Sequence, residues 1–569
     1  MLLSFQSAVL RSSFRLYRLR STSSPSSTCA IRKFLPILHD FTAELGQHQP
    51  SFSVPASRIR ILSQPSEFYS MLLDMINSAE KRIFLSSLYI GASENELISA
   101  LAHQLAEKQS LHLYLQLDLN RSTRPGPSST ATILLPLLRA FPDRVHVSLF
   151  RSPSLRGIMA KIVPPRFNEG WGTWHAKIYG ADNDVIISGA NLSKDYFTNR
   201  RDRYIRFTAQ RHLSDYCFNF LQEITPLSYR LLPAEATTQN NPNTHSYVRE
   251  DYALVWPDRD THPHHIVEKI HRVLTSFQEK HCHNQEEGRK EEIVCASDDN
   301  IILFPIIQAG QFSVREEERF FQLLFGYLKK AAMRAAFAPV GSLPAGVSSI
   351  AQERPLMDVT SGYFNLYKPY QKLFFAHPQV AVRIVAASPK ANGFYGSQGI
   401  SGRIPEGYTF LEQKFMKAAK RMANMFSRFG SGHSNVELSE WEKSGWTYHA
   451  KGLWLSPSAE SSPVLSLFGS TNLNSRSADI DTELSFVMII PPSRSLSISP
   501  PLKCRAAANL VVKDSGEADS LVMDPVAILR EQLAREVADL RKDVKPWQGD
   551  SRKVRWLTKV IVWLVGNKL

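Results

Sequence analysis

Two short stretches of this chain place the same side chains at the same intervals. Trp174-His175-Ala176-Lys177 is followed by Gly189-Ala190-Asn191 and then Asp202, and Tyr448-His449-Ala450-Lys451 is followed by Gly469-Ser470-Thr471-Asn472 and then Glu483. Histidine and lysine stand two apart in both, asparagine and acid eleven apart in both. In a strand, residues i and i+2 project from one face, so each stretch sets an imidazole beside an ammonium. That combination suits a phosphate. Lysine supplies countercharge, and histidine, with an ordinary pKa of about 6.5, attacks phosphorus or moves a proton near neutral pH. Asparagine at a glycine-loosened turn offers an amide to a phosphoryl oxygen. The acid eleven residues on is expected to accept the other ring N–H of its histidine, fixing the tautomer and stabilising the imidazolium. Two such sets facing each other supply a nucleophile and a general acid/base on opposite sides of phosphorus, a chemistry that requires no metal and no cofactor. One His-x-Lys alone is an ordinary pair on a half-exposed strand; the doubled set reads as an internal duplication.

The elements that must position these residues follow an α/β pattern. A helix is expected over Ser66–Lys81, then strands over Arg82–Ile90, Leu111–Leu119, Arg144–Phe150, Lys177–Tyr179 and Val185–Ser188, with helices over Glu94–Lys108 and Ala131–Ala140 between the first three. The polar stretch Pro233–His245 reads as a linker. Beyond it, Ser313-x-x-Glu316 has the form of a capping box opening a helix to about Ala336. Strands are expected at Val380–Ala386, Lys451–Leu455 and Val464–Phe468. The histidine-to-asparagine interval is 16 in the first set and 23 in the second, and the surplus falls in the loop Ser456–Pro463, where a longer hairpin is cheap.

Composition narrows the partners. The 569 residues carry 67 Lys+Arg against 53 Asp+Glu, a net +14, and a hydrophobic content of 43% excludes wholesale disorder. No apolar run is long enough to span a bilayer. The five cysteines are scattered without a Cys-x-x-Cys pair, which argues against a disulfide framework and a cysteine-rich zinc site. The positive charge fits nucleic acid, anionic membrane or a phosphorylated substrate. Residues 1–39 hold six basic residues and no acid, with Ser and Thr dense from Ser21 to Thr28, the composition of a mitochondrial transit peptide; without them the net charge is +8. Asp524-Pro525 opens a helix to about Asp543. At the C-terminus Trp556, Leu557, Val560, Ile561, Leu564 and Val565 alternate with Arg552, Lys553, Arg555, Lys559 and Lys568, a basic amphipathic helix suited to an anionic membrane surface and too short to cross it. His262, His264, His265 and His281-Cys282-His283 have no carboxylate or second thiol at ligand-like spacing and read as solvated loop histidines.

His175-x-Lys177-(x)4-Asp182 resembles the HxKxxxxD signature of the phospholipase D superfamily, and Gly469-Ser-Thr-Asn472 its companion GSxN. The resemblance implies two pseudo-symmetric α/β sandwich domains packed around one shared active site, a phosphohistidine intermediate on one histidine and proton transfer by the other. The second set has Ser456 where the aspartate would stand, so the nucleophile is assigned to the complete motif, His175, with Asp182 as a supporting residue. Asp202 and Glu483 are the implied imidazole partners, and Lys177, Lys451, Asn191 and Asn472 the holders of phosphoryl oxygens.

Further segments, among them Ser87-Leu-Tyr-Ile-Gly91, Leu155-Arg-Gly157, Tyr196-Phe-Thr-Asn-Arg200, Ser361-Gly-Tyr-Phe-Asn365 and Tyr448-His-Ala-Lys-Gly-Leu-Trp454, resemble the eukaryotic phosphatidylglycerophosphate synthases over about residues 55–490. That likeness implies a mitochondrial, peripheral inner-membrane enzyme using CDP-diacylglycerol and glycerol 3-phosphate, with no nucleic-acid partner. Its domains would span 55–232 and 249–490, joined by 233–248 and followed by a tail over 491–569. Arg200, Arg201 and Arg203, and more weakly Arg121 and Arg124, are candidates for the acceptor's phosphate. The motifs do not read the acceptor alcohol, so cardiolipin synthase and phosphatidylserine synthase stay open beside it, as does a phosphodiesterase or nuclease of the same superfamily.

Overall fold

Two ten-stranded mixed sheets carry the repeat. In the first, Arg82–Ser86, His112–Asp118 and Val145–Phe150 run parallel. Beyond Arg82–Ser86 the sheet continues with antiparallel Ile178–Ala181, Asp184–Ser188 and Tyr204–Phe207. In the second, Leu356–Ser361, Ala381–Ala387 and Val436–Trp441 run parallel, and antiparallel Lys451–Ser456, Leu465–Gly469 and Glu483–Ile489 follow. The strand order is identical, so the duplication of spacing is a duplication of topology. This computed structural model describes residues 36–126, 128–236, 245–249, 251–292, 300–336, 354–427, 435–491 and 524–566.

The parallel strands are near-continuous apolar runs because helices cover them. Pro65–Ser78 and Asn95–Glu107 bury Phe68, Leu72, Met75, Leu97 and Leu101; Thr130–Ala140 buries Leu134 and Leu138 and is capped by Ser129, whose hydroxyl accepts from the N–H of Thr132. One core lies in the first half and runs through the seam to Tyr448, Phe468 and Phe486, and a second fills the outer part of the second half. At the seam Phe207 stacks on Phe468, ring centroids 6.2 Å apart.

Several boundaries differ from those read along the chain. Phe52–Pro55 pairs with Asn300–Ala309 in the second sheet, whereas Tyr252–Val255 pairs with Tyr229–Pro233 in the first. Each half thus takes an outlying strand from the other side of the expected division, the first sheet's being flanked in turn by Tyr247–Val248. A helix over 36–45 buries Leu38 and Leu45 and sets Phe41 edge-on to Phe320. A leader ending at 39 would cut through that helix; the remainder, residues 1–35, lies outside the described residues, as do 237–244 of the linker and 492–523. Ser313 is not a capping residue. It closes a 3-10 turn in the left-handed region at φ +60°, and Glu316 instead accepts from the N–H of Ile307 and from Gln278. The helix itself runs Glu316–Ala336. Asp524 does cap Pro525–Arg541, accepting from the N–H of Val526 at 2.9 Å. Among the described residues no helix is long and apolar enough to cross a membrane.

Candidate active site

Both histidines sit where the two halves exchange backbone hydrogen bonds. The N–H of His175 donates to Thr482 O at 2.9 Å, and the N–H of Thr482 returns to Thr173 O at 2.9 Å. Across the pseudo-dyad, the N–H of His449 donates to Arg201 O at 2.8 Å, and Thr447–Tyr448 pairs in parallel with Arg200–Arg201. Thr482 and Arg201 are the residues immediately before Glu483 and Asp202. Each histidine is therefore tied by its own backbone to the segment bearing the other half's acid.

The side chains pair accordingly, and crosswise. His175 Nδ1 lies 2.8 Å from Glu483 Oε2, and His449 Nδ1 lies 2.6 Å from Asp202 Oδ2. The expectation that each acid serves the histidine of its own set is corrected: the eleven residues from the asparagine turn through a short helix, Lys194–Thr198 or Ser475–Asp479, and bring the acid to the seam, where it meets the facing half's histidine. Glycine makes room for this. A Cβ at Gly189 would stand 2.5 Å from Asp202 Oδ1, and one at Gly362 would stand 2.6 Å from Tyr448 O.

Burial and charge then set protonation. Burial alone would raise the Glu483 carboxyl, but the His175 charge, its hydrogen bond and Lys177 outweigh it and hold Glu483 at about 2. Burial pushes His175 below its ordinary 6.5 against the pull of Glu483. His449 falls well below 6.5 through burial and then the Lys451, Arg200 and Lys177 charges. Both rings are neutral at neutral pH, each with its Nδ1 proton on a carboxylate and Nε2 left as the lone-pair nitrogen. Lys177, pushed down to about 7 by burial and by Lys451, donates from Nζ to His175 O at 2.6 Å. Lys451 donates to Gly189 O at 3.1 Å and lies 2.7 Å from His449 Nδ1 and 3.6 Å from Asp202 Oδ2. Because the Nδ1 proton goes to Asp202, this ammonium acts on the ring as a charge.

The asparagines differ. Asn191 is engaged: its Nδ2 donates to Tyr196 Oη at 3.1 Å, and its Oδ1 lies 3.4 Å from the N–H of Leu88, in the Ser87–Gly91 turn. Asn472 has no side-chain hydrogen bond among the described residues, and its buried Oδ1 is unsatisfied. Counting five residues from each asparagine gives Tyr196 in one set and Ser477 in the other. Tyr196 Oη reaches His449 Nε2 at 3.4 Å, whereas Ser477 donates to Glu483 Oε1 at 2.6 Å. Aligning the two sets on their asparagines would have singled out both residues in advance.

Asp182 stands apart from this cluster. It lies in the left-handed region at φ +48°, and its carboxylate accepts from the N–H groups of Glu80, Lys81 and Arg82. Five residues of extended chain from Lys177 place it roughly 16 Å along the strand, so it secures the hairpin end and touches no reacting group. The arginines divide as well. Arg203 is consumed by Glu536, Leu467 O and Ser466, and Arg201 donates to Ser63 O. Arg124 and Arg121 both pair with Glu169. Arg200 stacks on Tyr196, 4.6 Å from the ring centre, beside Tyr363, whose own ring lies 5.4 Å from His449. Arg476, which the motifs did not indicate, pairs with Asp481 at 3.0 Å and reaches Thr173 Oγ1 at 3.4 Å, two residues before His175. His175, Asp481 and Glu483 bring ligand-type atoms within 4.8 Å of one another, but Asp481 is committed to Thr173 and Arg476, and Glu483 to His175 and Ser477. They belong to a network of hydrogen bonds and an ion pair that already uses their ligand-type atoms.

No family model matches the chain. It is 35% identical over 454 residues to a CDP-diacylglycerol–glycerol-3-phosphate 3-phosphatidyltransferase of Schizosaccharomyces pombe, covering 77% of this chain and 86% of that one. It is 32% identical over 464 residues to a mitochondrial protein of the same name from Mus musculus, covering 79% and 77%. Among solved structures, a phosphatidylserine synthase of Haemophilus influenzae superposes with a TM-score of 0.58 at 16% identity, over 93% of this chain and 98% of that one.

Proposed function

The chain belongs to the family of CDP-diacylglycerol–glycerol-3-phosphate 3-phosphatidyltransferases, and from that premise we propose how its two histidines divide the reaction. The enzyme is a transferase of phospholipid biosynthesis: it makes phosphatidylglycerophosphate and CMP from CDP-diacylglycerol and glycerol 3-phosphate. His175 Nε2 attacks the phosphatidyl phosphorus, an N–P bond forms, and the bond to CMP breaks. The ring becomes an imidazolium whose Nδ1–H stays on Glu483, ionised at all working pH because it sits at about 2. CMP leaves as a phosphate and needs no proton from an acid, so a neutral His449 is no obstacle. In the second half-reaction His449 Nε2 takes the proton of the acceptor hydroxyl. That oxygen attacks phosphorus, the N–P bond breaks, and His175 is restored. Lys177, Lys451 and the open amide of Asn472 stabilise the charge developing on the phosphoryl oxygens.

The observation that carries this reading is the crosswise pairing, which leaves both Nε2 atoms unprotonated and only that of His175 without a protein partner among the described residues. The test is the purified full chain with labelled CDP-diacylglycerol and glycerol 3-phosphate. Stoichiometric CMP and phosphatidylglycerophosphate are expected; phosphatidic acid, or transfer to another alcohol in preference, would overturn it. A mitochondrial setting is supported by the relatives' names. A peripheral position on the inner membrane, with the basic C-terminal helix on the lipid surface, completes the proposal, since the substrate is held in a bilayer.

A further inference from the structure

Two helices leave their apolar faces uncovered. Gly157–Ile162 buries no side chain at all: Ile158 is 73% and Ile162 67% exposed, with Met159 exposed between them on the same face. In Trp556–Val565, Thr558 and Val562 are buried and Ile561 half-buried, while Trp556, Leu557, Val560, Trp563 and Leu564 turn outward, Trp563 at 78%. That stripe, at i, i+1, i+4, i+7 and i+8, is the apolar face of an amphipathic helix pointed away from its own protein.

Both helices are tethered to residues around the two histidines. The first continues into Pro165–Trp171, where Glu169 holds Arg121, which in turn lies 4.2 Å over the ring of Tyr89. Tyr89 bonds Ser193 at 3.2 Å, two residues past Asn191. The second helix ends at Gly566, whose carbonyl accepts from Asn365 Nδ2 at 3.0 Å, two residues past Tyr363. Charge separates these surfaces from an ordinary protein contact. No Asp or Glu occurs between Arg151 and Asn168, nor anywhere after Asp550, whereas Arg156 and Lys161, and Lys553 and Lys559, are exposed among the apolar side chains. Apolar residues interleaved with uncompensated cations match an anionic bilayer interface.

We propose that Gly157–Ile162 is a second membrane-inserting element, which with Trp556–Val565 straddles the active-site opening, so that the lipid passes from the leaflet into the site between the two. This rests on the bilayer lipid substrate of the proposed function and adds what the tail alone does not give, an orientation with the opening facing the membrane.

The test is vesicle flotation of the full chain on phosphatidylcholine–cardiolipin and on phosphatidylcholine alone. The wild type is expected on the anionic vesicles, less so at high salt. Ile158→Asp with Ile162→Asp, and separately Trp563→Asp with Leu564→Asp, should each lower the bound fraction about tenfold. Both variants should lose turnover of vesicle-embedded CDP-diacylglycerol in parallel and keep that of a water-soluble short-chain analogue. Wild-type flotation of the Ile158/Ile162 variant would overturn the proposal, as would equal loss on the soluble analogue. Flotation is read without catalysis, so a wild type that binds vesicles but makes no phosphatidylglycerophosphate would fault the proposed reaction and not this surface.

Discussion

His175 has one partner at its ring, Glu483 on Nδ1, and an Nε2 that meets no protein group among the described residues. His449 occupies the matching place in the other half, yet its surroundings are crowded: Asp202 and Lys451 at Nδ1, Tyr196 at Nε2, Tyr363 edge-on. The asparagines repeat the contrast, Asn191 engaged by Tyr196 and Asn472 open. Duplication supplied two equal sets, and a single change of residue type at the position five past the asparagine, tyrosine against serine, does most to make them unequal. A site built this way commits one histidine to forming a covalent bond and the other to moving protons.

Exchanging the roles is the sharpest way to break the comparison. His175→Ala should lower turnover by about 10⁴-fold or more, as loss of a nucleophile does, and should abolish labelling of the protein by CDP-diacylglycerol. His449→Ala should cost about 10²–10⁴-fold while still releasing a burst of CMP and retaining the phosphatidyl group on the protein. Labelling that survives in the His175 variant and not in the His449 variant would reverse the assignment.

The carboxylates come next. Glu483→Gln should cost about 10³–10⁴-fold by losing the correct tautomer, measured as kcat with fold checked by circular dichroism. Asp202→Asn should cost about ten times less, because Tyr196 still orients the facing ring; equal losses would mean that the crowding around His449 has no catalytic value. The pH profile sharpens the same contrast more gently. Both histidines act as neutral rings and are held below the ordinary histidine range by burial, so activity should fall only on acidification beyond that range, where they take up protons. Lys177 is charged only below about 7, so kcat/KM should also decline above that value. Lys177→Arg, which stays charged, should remove the alkaline limb and leave the acid limb in place.

The smallest effects belong to the residue that makes the two motifs look unequal on paper. Asp182→Ala should lower stability by about 1–3 kcal/mol through three backbone N–H groups left without an acceptor, read as a lower Tm with kcat nearly unchanged. Ser456→Asp puts a carboxylate at a buried strand position and should lower Tm while leaving kcat nearly unchanged. A large loss of kcat in the Asp182 variant would return that carboxylate to the chemistry.

Much of this was legible along the chain because strand periodicity and the spacing of catalytic residues are local properties. Lys451 opens a strand, His175, Lys177 and His449 stand in the few residues just before one, and the helices over 65–78, 95–107 and 130–140 follow their apolar spacing. What was not legible depends on contacts between distant segments. The crosswise pairing needs the seam hydrogen bonds of Thr482 and Arg201, which no spacing encodes. Arg203 carries the same charge as Arg200, and only its burial against Glu536 and Trp454 marks it as structural. Ser313 and Glu316 have the types of a capping box, but a left-handed turn and the N–H of Ile307 draw them elsewhere. The strands at 52–55 and 252–255 pair in the sheet opposite to the one their place along the chain suggests, a matter of topology and not of composition.

The seam has one more consequence. Since neither half contains both a histidine and the acid that orients it, catalysis measures whether the halves are docked. In a denaturant titration, activity should vanish no later than the seam parts; the enzyme carries a built-in reporter of its own assembly.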